Sequence, residues 1–151
     1  KKFFNEISDH YLFKEYSINE IMTIASLVER EGINELDKKK ITSVIFNRLK
    51  KNMKLQIDAS TIFAITKGKY KFDRKLNYND LKIKDKFNTY YIKGLPPSPI
   101  CYVGSKTIEI VLENYKTKYL FYFFDNNLGE HIFSETFNDH KKKLSKYKNE
   151  K

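Results

Sequence analysis

The stretch Ile18–Gly32 does most to fix what this 151-residue chain can fold into. Ser17 and Glu20 stand three residues apart, the spacing of a capping box that opens a helix. Ile21, Ile24, Ala25 and Val28 then recur at helical spacing, and Gly32 suits a left-handed helix end. The pattern predicts a helix over 18–31 with one apolar face. Glu29 lies on the edge of that face, four residues after Ala25 and three after Ser26. A carboxylate on an apolar border, with small neighbours that leave room for a ligand, is where desolvation would hold a proton. Glu29 is therefore the candidate acid, against the plain alternative of a boundary residue beside a core stripe. Glu31 falls about 200° further around the helix and cannot work side by side with Glu29. It reads as a supporting residue that orients neighbouring backbone or a basic side chain.

The remaining chain reads as one α+β domain. Residues 1–16 carry Phe3, Phe4, Ile7, Tyr11, Leu12 and Phe13 and suggest a short helix and lead-in that packs on the main domain. A second helix is expected from about 36 to 50, burying Ile41, Val44, Ile45 and Leu49 and leaving Lys38–Lys40 as a solvated face. The alternating segment 53–58 predicts a short strand. Asp58 then reads as the N-cap of a helix through Thr66 that ends at Gly68. Residues 69–93 are irregular, with a helical turn near 77–81. The three prolines of Gly94–Pro99 fix a stiff loop. Ser105 reads as the cap of a helix over 106–115. Tyr119–Phe124, a turn at Asp125–Gly129 and Glu130–Phe133 form a β-hairpin, and a basic helix over 135–148 closes the chain.

Chemistry is narrowed mainly by exclusion. His10, His131 and His140 are too scattered for common metal motifs, and the single Cys101 forbids an internal disulfide and a cysteine-built metal site. Phosphate loop, nucleophile elbow and dinucleotide fingerprint are all missing, so neither a metal nor a cofactor is expected. A carboxylate in a polar, aromatic groove remains. Gln56 and Asp58 alternate beside a helix start, and Asn88-Thr89-Tyr90 offers the amide and phenol that sugar binding uses. Against these stand an ordinary cap at Asp58 and a loop held by its own side chains at Asn88. Asn47 and Ser26 are further substrate-binding candidates, though Asn47-Arg48 ends a helix, where a basic residue is favourable regardless of function. The formal charge of +10, 29 basic against 19 acidic residues, suits a polyanionic neighbour or reflects a Lys-rich bias. No nucleic-acid-binding motif stands among the basic residues, so no nucleic-acid partner is expected. The opening Lys1-Lys2-Phe3-Phe4, without an initiator Met, reads as a piece excised from something longer.

Three consecutive motifs then stand out: Ala25-Ser26-Leu27-Val28-Glu29-Arg30-Glu31, Val44-Ile45-Phe46-Asn47-Arg48-Leu49 and Met53-Lys54-Leu55-Gln56-Ile57-Asp58. With Asn88-Thr89-Tyr90, the loop 94–100, Gly104, Tyr119–Phe124, Gly129–Thr136 and His140, they resemble, in order and spacing, the YceG-like family of endolytic murein transglycosylases. The resemblance covers about 18–147. It departs at Ala59, where a proline is common, and in Pro-Pro-Ser-Pro, where Pro-Pro-Gly-Pro is frequent. It implies an enzyme that cuts the MurNAc–GlcNAc bond within nascent peptidoglycan strands, leaves 1,6-anhydroMurNAc ends and limits strand elongation. It places the single catalytic acid at the first Glu of the motif, here Glu29. It also implies an N-terminal anchor in the bacterial inner membrane and a LysM-like region, with residues 1–16 as the join and 17–151 as the catalytic domain on the periplasmic side, near peptidoglycan synthases. Two alternatives remain at this point: a muramidase-type hydrolase pairing Glu29 with Asp58, and a non-catalytic cell-wall glycan-binding module.

Overall fold

The computed structural model describes residue 7 and residues 9–149. Among the described residues it contains six α-helices and one two-stranded antiparallel sheet, an α+β arrangement as the sequence predicts. Helix α1 (Ile18–Glu31) is the axis of the core. It opens with the expected capping box: Ser17 Oγ accepts from Glu20 N at 3.2 Å and Glu20 Oε2 accepts from Ser17 N at 2.8 Å. Its burial exceeds one face, because Thr23, Ser26 and Leu27 are buried with the apolar stripe. Three helices explain this: α1 packs against α2 (Glu35–Lys50), α3 (Asp58–Thr66) and α5 (Ser105–Glu113). Ile21, Ile24, Leu27 and Val28 meet Ile41, Val44 and Ile45 of α2 and Ile108 and Val111 of α5 in one cluster.

The end of α1 differs from expectation. Gly32 has φ −81° and ψ 141°, an ordinary extended conformation. Glycine is required there for space, since a Cβ would run into Lys38 Cγ. Lys38–Lys40 are also not a solvated face: Lys38 pairs with Glu29, Lys39 with Glu113 and Glu35, and Lys40 lies over the Phe133 ring. Their ammonium groups bridge α2 to α1, α5 and the hairpin.

Residues 53–57 form an irregular loop rather than a strand, with Gln56 at φ +54°. Helix α3 is capped by Ile57, and Asp58 is its first residue with no capping bond, which leaves its carboxylate for other contacts. The turn α4 (Tyr78–Leu81) has a capping box between Asn77 and Asp80. Gly104, not Ser105, caps α5, which ends at Asn114 in the left-handed region. Strands β1 (Phe121–Asp125) and β2 (Glu130–Ser134) pair with Tyr122 opposite Phe133 and Phe124 opposite His131. The final helix α6 (Phe137–Asn149) packs on both strands. Of the N-terminal lead-in, Tyr11–Lys14 is a 3₁₀ turn that buries Leu12; Phe3 and Phe4 lie outside the described residues. No helix is long and apolar enough to cross a membrane among the described residues.

Candidate active site

Five parts of the chain converge on a cavity of about 410 Å³: the last residue of α1, Arg48 of α2, the loop leading into α3, Tyr90, and the hairpin with the start of α6. Glu31 lies on its wall, together with Gln56, Asp58, Tyr90, Tyr122 and His131. Tyr122 Oη of β1 donates to Glu31 Oε2 at 2.9 Å. Burial pushes the Glu31 carboxyl above the ordinary glutamate range, with Asp58 and Asp37 adding to the rise; the Tyr122 hydrogen bond and His131 oppose it. Tyr122 itself is raised by burial and by the Glu31 charge, so it stays a donor throughout the neutral range.

Glu29 occupies the opposite environment. Its Oε2 accepts a short hydrogen bond from Thr107 Oγ1 of α5 and one from Lys38 Nζ at 3.1 Å. These partners, Thr107 first, outweigh partial desolvation and hold the Glu29 carboxyl below its ordinary range. The reversal has a simple cause. The helix spacing located the apolar border of α1 but could not show that a lysine and a threonine cover Glu29. Nor could it show that the hairpin closes over the face bearing Glu31.

The substrate-binding candidates divide cleanly. Gln56, Asp58 and Tyr90 line the cavity. Asn88 does not: it is fully buried, donating to Leu81 and Ile83 carbonyls and accepting from Thr61 Oγ1 and Tyr90 N. Its four amide valences are all used, so it has none left for a sugar. Asn47 uses both Nδ2 hydrogens on the carbonyls of Thr117 and Tyr119, and buried Ser26 donates to Thr23 O and accepts from Ile100 N. Asn47 and Ser26 are scaffold groups outside the cavity. Asn88-Thr89-Tyr90 builds the site from below. Asn88 fixes the 77–92 segment, Thr89 pins Gln56 and Ile57 through O···N at 3.2 Å and Oγ1···N at 2.8 Å, and Tyr90 Oη donates to Asp58 Oδ1 at 2.6 Å. The Thr89 tether holds Gln56 in its left-handed conformation, one that a non-glycine residue adopts only when its surroundings enforce it.

The YceG-like family model matches residues 2–146. The chain belongs to the YceG-like family. It is 44% identical over 138 residues to the endolytic murein transglycosylase of Bacillus subtilis, covering 89% of this chain and 37% of that protein. It is 31% identical over 141 residues to the endolytic murein transglycosylase of Streptococcus pneumoniae, covering 91% of this chain and 25% of that protein. The crystal structure of a yceG-like protein from Listeria monocytogenes superposes with a TM-score of 0.82 at 32% identity, over 92% of this chain and 44% of that one. The chain thus spans less than half the length of the relatives it matches.

Sequence reasoning missed Tyr122, Arg48 and the pair His131–Asp37 in this YceG-like chain. His131 Nδ1 meets Asp37 Oδ2 at 2.9 Å, with the side chains only 7% and 8% exposed. The Tyr122 ring stands edge-on to His131, centroids 5.3 Å apart, so this pair and Glu31 flank the same tyrosine. Arg48 donates to the carbonyls of Leu120, Lys54 and Leu55 at 2.6–2.9 Å, joining α2 to two walls of the cavity. All three links span loops of unknown path, and in a sequence only the polar character of Tyr122 and His131 inside an apolar hairpin hints at them. Among the described residues, no group of three or more His, Cys, Asp or Glu is placed to hold a metal.

Proposed function

We propose that the chain is the catalytic part of an endolytic lytic transglycosylase that cuts peptidoglycan glycan strands at the MurNAc–GlcNAc bond, with Glu31 rather than Glu29 as its acid. The single observation that carries this reading is a cavity-wall carboxyl whose proton affinity is raised, fixed by a tyrosine and faced by polar groups. The matched relatives, named endolytic murein transglycosylases, give the substrate class.

The reaction then balances on one carboxyl. Protonated Glu31 donates to the glycosidic oxygen as the bond from the muramyl C1 breaks, and positive charge builds on C1. The resulting Glu31 carboxylate takes the proton of that sugar's C6 hydroxyl, whose oxygen closes on C1. The acid is regenerated and no water is consumed, so no second carboxylate is needed. Tyr122 Oη holds the carboxylate oriented between the two transfers. Gln56 and the Tyr90–Asp58 pair supply the hydrogen bonds that seat the sugar and acetamide groups. Action on the extracytoplasmic face of the inner membrane, by way of an N-terminal anchor and beside peptidoglycan synthases, belongs to the same proposal, because the nascent strand lies there.

Mass spectrometry of digested uncross-linked strands tests the reaction type. Anhydro-muramyl ends are expected. Reducing ends would replace the proposal with hydrolysis by Glu31 and Asp58.

A further inference from the structure

A second cleft, also about 410 Å³, opens where α1, the end of α3 and the proline loop meet. Its walls are Phe63, Tyr70, Ile100, Cys101 and Tyr102, with Arg30 at its edge. Two of the wall's polar atoms are already used: Tyr70 Oη donates to Ile100 O at 2.8 Å and Cys101 Sγ donates to Ser26 O at 3.4 Å. Arg30 is not, and neither is the solvent-exposed Tyr102 phenol. The Arg30 guanidinium lies 4.1 Å from the Tyr70 ring centroid and has no hydrogen bond or ion pair among the described residues. Both carboxylates next to it in the chain are committed elsewhere, Glu29 to Lys38 and Thr107 and Glu31 to Tyr122. Tyr102 stands wholly in solvent at the rim.

This cleft and the Glu31 cavity are joined in two ways. Arg30 and Glu31 are consecutive at the end of α1. Helix α3 starts at Asp58 in the Glu31 cavity and reaches Phe63 in the second cleft, an advance of about 7.5 Å along its axis. Consecutive helical residues project about 100° apart, so the two clefts lie on different flanks of α1, and a side branch of the polymer rather than its backbone would turn from one to the other.

Chemistry selects the occupant. A sugar ring would call for several hydrogen-bonding partners, and beside Arg30 these walls offer only the Tyr102 phenol. An unpaired guanidinium stacked on a phenol, above an apolar floor, matches a carboxylate attached to small apolar groups. We propose that this cleft binds the acidic stem peptide of a muramyl unit next to the cleavage point, its carboxylate on Arg30 and its alanyl methyls against Phe63, Tyr70 and Tyr102. This rests on the murein-cutting function proposed above and adds a peptide subsite to it.

The test compares wild type, Arg30→Ala and Arg30→Lys on strands carrying stem peptides and on strands stripped of them by an amidase. Arg30→Ala is expected to raise KM about tenfold on peptide-bearing strands, with kcat and the stripped strands unchanged, and Arg30→Lys to restore part of the loss. Equal losses on both substrates, or no loss on either, would overturn the subsite. If wild type cuts neither strand, the proposed function is at fault and titration of a synthetic stem tetrapeptide decides the cleft separately. NMR shifts at Tyr70 and Tyr102, lost in Arg30→Ala, support it; their absence in wild type refutes it.

Discussion

At the residue scale, two glutamates two positions apart on one helix have opposite environments, and this difference is the basis of the functional reading. Burial raises the Glu31 carboxyl, so the proton that the proposed mechanism uses is held to higher pH than on an ordinary glutamate and is lost as pH rises through its folded value. The rate should fall along that alkaline limb. Because the Tyr122 hydrogen bond favours the charged form, Tyr122→Phe should move the limb to higher pH, readable in a kcat/KM profile. Linkage gives a second consequence. A carboxyl with a raised folded pKa contributes its full stability below the unfolded value, about 4.3, and loses it as pH rises through the folded value. Glu31→Gln should therefore melt at a higher temperature than wild type at pH 8, with the difference shrinking toward pH 4. Glu29 has the opposite sign. Its lowered pKa gives stability above the unfolded value that is lost as pH falls through the folded one. Glu29→Gln should cost about 1 kcal/mol near neutral pH, a Tm loss of roughly 2–4 °C, and little activity.

At the element scale, the helices were more legible than the loops that make the site. The Ser17–Glu20 box and the Ile21–Val28 spacing locate α1, and the Ile41–Ile45 stripe locates α2, because both signals are local. Side-chain alternation over 53–58 predicts a strand, but the segment's conformation is set by Thr89, over thirty residues away. The same distance hid the role of Asn88. As a buried keystone with four bonds, Asn88→Ala should cost about 3 kcal/mol and lower Tm by roughly 10 °C. Thermal melts at neutral pH check this. A variant with unchanged Tm and a purely raised KM would return Asn88 to the substrate.

At the scale of the whole molecule, the α-helical core serves as a frame on which two separately built walls meet. The loop before α3 is fixed through Arg48 and Thr89, and the hairpin through Asn47, Arg48 and α6. Family membership was legible in the sequence because the motifs occupy these joints in a fixed order. The opposite environments of Glu29 and Glu31 were not, because they depend on which face of α1 the hairpin covers and which side chains of α2 and α5 reach the other face. The most direct test is mass spectrometry of uncross-linked glycan strands digested by wild type, Glu31→Gln and Glu29→Gln. The expected result is anhydro-muramyl ends from wild type and Glu29→Gln, with the rate of Glu31→Gln down about 10³-fold. Full activity in Glu31→Gln with loss in Glu29→Gln would contradict the assignment of the acid.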